Sequence, residues 1–299
     1  MTPAKIALLA DRGVMRVAGE DAEKLLQGIV SNDMDLLASQ AAIHAALLTP
    51  QGKILFDFFV VKTGGGFLLE TVRDKAVDLA KRLNLYKLRA KVDIRDASSD
   101  YRVLALWGPS LHGLGETAGA VAFADPRLPT LGMRILAEAR FAADIATAGD
   151  VLDASAEDYH AHRIALGVPE GGKDYVLGDT FPHEADLDQL DGVSFSKGCF
   201  VGQEVVSRMQ NRGSVRKRVV PIEGEAALTP GVEVQAGAAV IGSVGSVAGT
   251  LALALVRLDR AAEANAKGQV LTAGGVPITL RKPDWATFDP TPAAAAEAP

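Results

Sequence analysis

Residues 197–204 read KGCFVGQE. Cys199 is the only cysteine in 299 residues, one position after Gly198 and three before Gly202. Glycines so placed admit backbone conformations or close approaches that a Cβ forbids. The charge of Lys197 favours the thiolate, and Arg208 does the same if the fold brings it near. Gln203 and Glu204 offer amide and carboxylate groups that can bracket the donors and acceptors of a flat heterocycle. The plain alternative is a small buried cysteine at a strand-to-helix turn, since free cysteines are usually packing residues. A single cysteine cannot form an intramolecular disulfide, which points to a reducing compartment.

Immediately downstream, residues 208–218 carry five basic side chains (Arg208, Arg212, Arg216, Lys217, Arg218) and no acidic one. That run reads either as a solvated basic face or as a local site for a carboxylate or phosphate. The whole chain has a formal charge of −6, which argues against direct nucleic-acid binding driven by overall charge. An RNA-facing module built on residues 208–218 stays open as a minor reading, marked by steep salt dependence. Apolar residues make up 48% and charged residues 23%, enough to build cores. No stretch reaches the ~20 apolar residues of a membrane span. The N-terminal MTPAKIALLADRG makes a poor signal or transit peptide, so the sequence implies a cytoplasmic protein.

Other motif matches fall away on inspection. GVPEGGKD (167–174) fits G-x-x-x-x-G-K but ends in Asp174, where a phosphate loop needs Ser or Thr. His160 and His162 sit at i and i+2 on one expected helix and point to different faces. His44, His112 and His183 have no Cys or carboxylate at ligand spacing, so no protein-built metal site is expected.

The periodicity gives an α+β chain. Strands are expected at 13–19, 54–61, 67–71, 88–96, 101–108 and 132–138, and helices over 22–29 and from about residue 71 to 83. A short helix is expected from about Pro109. Ser155 with Asp158 marks another helix start, and Gly167 its stop. Beyond Arg218, short β-like runs separated by Gly and Pro suggest a small barrel or sandwich. The expected division is an α+β body over 1–215, a β-domain over 216–285 and a disordered tail over 286–299.

KGCFVGQE resembles the signature of the YgfZ-type folate-binding proteins. GEDAEKLLQGIVSND (19–33), LTPQGKILFD (48–57), YKLRAKVDI (86–94) and FPHEADLDQLDGVSFSKGCFVGQEVVSRMQNRG (181–213) are similar to family segments in the same order. The resemblance implies an aminomethyltransferase-like three-lobed fold: two interwoven α+β lobes plus a C-terminal β-barrel around a central cavity. It implies tetrahydrofolate, or a one-carbon derivative, as cofactor. It also implies an accessory role in iron–sulfur cluster assembly or repair for client or carrier proteins, a tRNA-modifying enzyme among them. Carried over residue by residue, Cys199 is the reactive thiol with Lys197 beside it. Tyr159, Arg163, Gly198, Gly202, Gln203, Glu204 and Arg208 are the folate-site candidates, with Tyr159 stacking on the pterin and Arg163 or Arg208 meeting an acidic tail.

Two departures from the relatives are visible. Arg12 stands where some have Trp, and Phe56 stands where aminomethyltransferases carry the first of two aspartates, leaving only Asp57. The alternative reading, a folate-dependent aminomethyltransferase-type enzyme, is weakened accordingly.

Overall fold

The computed structural model describes residues 3–109, 119–147, 151–213 and 215–291. They divide into two units, Met1–Tyr159 with Leu190–Val205, and His160–Gln189 with Val206–Pro299. The α+β architecture expected from the sequence is the one observed, with two five-stranded sheets and a closed six-stranded barrel.

In the first unit the chain forms β1 (Ala4–Leu8), β2 (Arg12–Ala18), α1 (Ala22–Ile29), β3 (Ala42–Leu48), β4 (Ile54–Thr63), β5 (Gly66–Val72), α2 (Ala76–Lys87) and β6 (Asp93–Asp96). It continues with β7 (Tyr101–Trp107), β8 (Ala120–Ala124), β9 (Met133–Glu138), α3 (Ala142–Ala146) and β10 (Val151–Asp153). One sheet has the order β3-β4-β5-β2-β6, the other β10-β1-β7-β9-β8. The chain thus places β1 in one sheet, the next five strands in the other, and then returns.

Strand alternation sorts side chains between three cores. Met15, Val17, Phe56, Phe58, Phe67 and Leu69 pack with Leu26 of α1 and Leu79 and Leu83 of α2. Their strand neighbours Val14, Phe59 and Leu68 turn the opposite way, to meet Ala7, Val103, Trp107, Phe123 and Leu136 of the second sheet. The far face of that second sheet packs Ile6, Leu104, Leu106 and Ile135 against Ile145 of α3.

Differences from the sequence reading have local causes. β3 was not foreseen, because all seven of its positions are buried and a continuous apolar run has no period to read. The alternation over 88–96 comes from two elements: Leu88 ends α2 at φ 47°, and only Asp93–Asp96 is a strand. The helix expected beyond Pro109 and the tail from 292 onward lie outside the described residues. At α4 (Ala156–Ala165) the reading of Ser155 with Asp158 corresponds to a reciprocal cap. The Asp158 amide donates to Ser155 Oγ at 3.1 Å and the Ser155 amide to Asp158 Oδ2 at 3.0 Å.

After α5 (Gln203–Arg212) the second unit forms β11 (Lys217–Gly224), β12 (Glu233–Ala236), β13 (Ala239–Ala248), β14 (Leu251–Arg257), α6 (Leu258–Ala266), β15 (Leu271–Ala273) and β16 (Val276–Leu280). The strands close into an antiparallel barrel, β11-β14-β13-β12-β15-β16. Its interior holds Val220, Ile222, Val234, Ala252, Ala254 and Val256, with Leu258 and Ala261 of α6. Among the described residues no helix is long and apolar enough to cross a membrane.

Candidate functional site

The motif loop is fastened on both sides of the thiol. Lys197 is buried, and its ammonium donates to the carbonyls of Gln27, Val30 and Asn32 at 2.9, 2.9 and 2.7 Å. These oxygens lie at and just beyond the end of α1, where a helix leaves carbonyls unpaired and its dipole favours a cation. Burial pulls the Lys197 ammonium down to about 8 against the opposing charges of Asp33 and Asp35. Its nitrogen also sits 5.5 Å from the ring centroid of Phe200, itself buried. Between these two anchors Cys199 is exposed. The sequence reading aimed Lys197 at the thiol. In the structure its three donors are directed at carbonyl oxygens, so Lys197 holds the loop and does not donate to the sulfur.

The two glycines of the motif differ. Gly202 has φ +82°, and a Cβ there would lie 2.5 Å from the Thr49 carbonyl oxygen and 3.0 Å from Gly52 Cα. Only glycine fits that approach of the motif to the turn between β3 and β4. Gly198 has an ordinary φ, and a Cβ at that position would meet no atom within 4 Å, so the expected steric need is absent there. Gln203 begins α5 and its Nε2 donates to the Gly198 carbonyl at 3.4 Å; Glu204 is exposed.

A cavity of about 610 Å³ opens in the same unit. Its wall draws on residues 32–44, on 124–129 and on 191–196, ending at Ser196, three positions before Cys199. Cys199 is therefore not part of this wall. His44 is, at 4% exposure; its Nδ1 lies 3.1 Å from the Leu190 carbonyl, which sets a neutral tautomer with Nε2 as acceptor. Burial, aided by the charge of Arg127, pulls the His44 imidazole down to about 4. Arg127 lines the cavity too and grips Asp125 through Nε at 3.0 Å and Nη2 at 2.7 Å. Against the opposing effect of burial, that guanidinium holds the Asp125 carboxyl below its ordinary range.

Charged groups continue behind these residues, across the interior between the sheets. Arg12 Nε donates to Glu70 Oε1 at 2.9 Å, and Arg134 Nη2 donates to the Tyr159 hydroxyl at 2.8 Å. Arg134 Nε lies 3.6 Å from Asp125 Oδ2 and its Nη1 3.9 Å from Glu70 Oε1. Among the described residues, Asp57 Oδ1, Glu70 Oε2 and Arg134 Nε and Nη1 are buried without a hydrogen-bond partner. Buried polar atoms are nearly always paired, so a group of orphans on one internal face calls for an occupant. Phe56 packs with α1 and α2 on the other face, whereas Asp57 points inward. Position 56 therefore does not face this interior, and of the two positions Asp57 is the one that does.

Tyr159 and Arg163, expected at the ligand, are both enclosed. Tyr159 is 1% exposed, edge-on to Trp107 at 5.5 Å and covered by the Arg134 guanidinium at 4.7 Å. Arg163, in the second unit, is fully buried and donates to Asp174 Oδ2 at 2.7 Å and Ser246 Oγ at 2.6 Å. Asp174, which spoiled the phosphate-loop match, is its counter-ion. Arg208 is exposed on α5 in the second unit. Sequence reasoning missed His44, Glu70, Asp125, Arg127 and Arg134. The available signal was a lone charge at an inward position of an apolar strand, as Glu70 is in GFLLETV.

Residues 9–129 match the family described as the GCVT N-terminal domain, and residues 216–288 the CAF17 C-terminal beta-barrel domain. The chain is 36% identical over 239 residues to "Iron-sulfur cluster assembly factor IBA57 homolog, mitochondrial" of Mycosarcoma maydis, covering 76% of this chain and 59% of that protein. It is 32% identical over 310 residues to "Iron-sulfur cluster assembly factor IBA57, mitochondrial" of Homo sapiens, covering 93% and 84%. The crystal structure of glycine cleavage system aminomethyltransferase T from Bartonella henselae shares the fold, with a TM-score of 0.76 over 95% of this chain and 87% of that one, at 16% identity. The chain spans little more than half the length of some fungal relatives, 59% and 53% in the two cases.

Proposed function

The chain belongs to the IBA57 family of iron–sulfur cluster assembly factors, and from that membership we propose that it supports the assembly or repair of iron–sulfur clusters in client enzymes, with Cys199 as the working thiol. The relatives refine the sequence reading, since IBA57 is a relative of the YgfZ-type proteins and not YgfZ itself. They also overturn the expected cytoplasmic location: each of these relatives is named mitochondrial.

The observation that carries the proposal is an exposed sulfur between two buried anchors, Lys197 and Phe200. Such a loop presents its thiol to a macromolecule without the entropy loss of ordering it on contact. Cubane clusters take four cysteinyl thiolates and this chain has one, so Cys199 supplies a single ligand to a cluster in transit and the partner supplies the others. A client that modifies tRNA belongs to this reading as one recipient among several. Changing Cys199→Ser is expected to leave the fold and folate binding intact and to abolish complementation of a deletion strain. Full rescue by the variant removes the thiol from the mechanism.

Tetrahydrofolate or a one-carbon derivative fits the first unit. A cavity of about 610 Å³ lies within the range for a molecule of that size. His44 Nε2 offers an acceptor in its wall; behind that wall the orphaned oxygens of Asp57 and Glu70 are acceptors for the N–H groups of a heterocycle, and the orphaned N–H groups of Arg134 are donors for its carbonyl and ring-nitrogen acceptors. When bound, the folate supplies a carrier for one-carbon units. His44 would orient its ring, with the charge of Asp57 acting on His44 from behind the wall, and Arg127, held by Asp125, would border it. Titration with tetrahydrofolate tests this: saturable binding that weakens in His44→Phe is expected, and no binding discards the cofactor.

Asp57 also favours a second reading, folate-dependent aminomethyl transfer, because its carboxylate faces the interior without a partner for Oδ1. Turnover of methylene-tetrahydrofolate with an amine or dihydrolipoyl acceptor is its mark. A folate-binding sample inert toward both disposes of it.

A further inference from the structure

The segment YKLRAKVDI has no part in the thiol loop or the cavity. Helix α2 buries Ala76, Leu79 and Leu83 in the core. On its opposite side Val77 is 52% exposed, Leu85 68% and Leu88 87%. With Lys81 these positions follow spacings of four, four and three, one row about 16 Å long down the helix. A surface helix is ordinarily apolar on one side only, and apolar rows on two sides mean that a second surface is to be covered.

The placement of Leu88 is strained and held. Its φ of 47° lies in the left-handed region, which a branched side chain avoids and where glycine would end the helix without penalty. The turn cannot relax, because Val92 is buried in the core and the Lys91 amide donates to Asp21 Oδ2 at 2.8 Å. A bulky residue kept in such a conformation so as to project almost wholly into solvent is spent on contact with something outside the chain.

Charge says what that is. Residues 81–91 carry five basic side chains and no acidic one in a chain of net charge −6. Lys81 pairs with Asp78 and Lys91 with Glu20. Arg82, Lys87 and Arg89 have no acidic partner among the described residues. The apolar row has helix-packing spacing and leaves aliphatic side chains no purpose against a phosphate backbone. Its exposed apolar side chains are all aliphatic, and Tyr86 beside Leu85 is half-buried and packs against the core, so the row lacks the exposed Trp and Tyr that mark membrane-interface surfaces.

We propose that the outer face of α2, with the turn through Lys91, docks an acidic amphipathic helix of a partner protein, its leucines seated along Val77, Leu85 and Leu88 and its carboxylates meeting Arg82, Lys87 and Arg89. This surface stands apart from the cavity and the thiol, so folate binding is an independent readout.

The probe is a lactam-stapled peptide with Leu at i, i+3, i+4 and i+7 and Glu at the remaining exposed positions, titrated into the ¹⁵N-labelled full chain. Amide shifts confined to 77–91 are expected, with binding that weakens as salt rises. Leu85→Asp, Leu88→Asp and Arg82→Glu with Arg89→Glu are each expected to weaken binding at least tenfold, leaving the circular dichroism and tetrahydrofolate titration unchanged. Leu88→Gly separates strain from docking: it should raise the melting temperature by about 2 °C while binding falls. Shifts elsewhere, indifference to the leucine changes, equal affinity for a peptide with Ser in place of Leu, or stronger engagement of this face by phosphatidylglycerol vesicles or single-stranded RNA each overturn the proposal.

Discussion

The sheet β3-β4-β5-β2-β6 has two faces built from alternate residues of the same strands, and they obey different rules. Toward α1 and α2 it presents Met15, Val17, Phe56, Phe58 and Leu69, and none of these five exceeds 8% exposure. Toward the second sheet it presents Arg12, His44, Asp57 and Glu70 beside Val14, Phe59 and Leu68, just as thoroughly buried. The first face is explained by folding: burial of apolar surface stabilises it at about 25 cal/mol per Å². The second is not, because buried charges are at best neutral for stability against apolar replacements of the same volume. Side chains that do not serve the fold, kept in its centre with orphaned atoms, point to a ligand as their reason.

Four measurements test that contrast, the largest effect first. Glu70→Ala removes the buried acid that pairs with Arg12 and lies 3.9 Å from Arg134, so unfolding in urea is expected to show a loss of about 3–5 kcal/mol. A loss under about 1 kcal/mol would mean that water already reaches this interior. Leu26→Ala, the matched change on the apolar face, is expected to lose about 2–5 kcal/mol through transfer and cavity terms alone, with folate affinity unchanged.

The third is a pH profile. His44 is held neutral in the folded chain down to about 4, while the unfolded chain takes up its proton near 6.5. The unfolded state therefore binds more protons across that window, and stability falls as pH drops from about 6.5 to about 4. His44→Gln should flatten the slope there; an unchanged slope places the effect elsewhere. The smallest change is expected from Asp57→Asn, within about 1 kcal/mol in either direction, because Oδ1 has no hydrogen-bond partner to lose. Its signature is a drop in tetrahydrofolate affinity without a drop in stability. Equal losses in both would make Asp57 a structural residue.

Much of this was readable from residue order. The strand-like runs GVMRVAG and FLLET placed β2 and β5, the spacing of Ala22, Leu25, Leu26 and Ile29 placed α1, and the Ser155–Asp158 pair marked the start of α4. The glycine-punctuated runs after Arg218 announced the barrel. Period and turn chemistry are local properties, and a short window contains them. β3 escaped because both its faces are buried, and 88–96 misled because one alternation ran across a helix end and a strand.

The motif KGCFVGQE marked the thiol by itself, but three-dimensional packing assigned its neighbours their work. Lys197 serves the carbonyls near the end of α1, 165 to 170 positions away along the chain. Gly202 is required by Thr49, and Gly198 by nothing in its surroundings. Arg163, which looked like a ligand's cation, found Asp174 first. Local periodicity determined which elements form and which residue faces inward on each. Whether an inward charge meets a counter-ion, a carbonyl or an empty space depends on residues far away in the chain, and only the folded structure decided that.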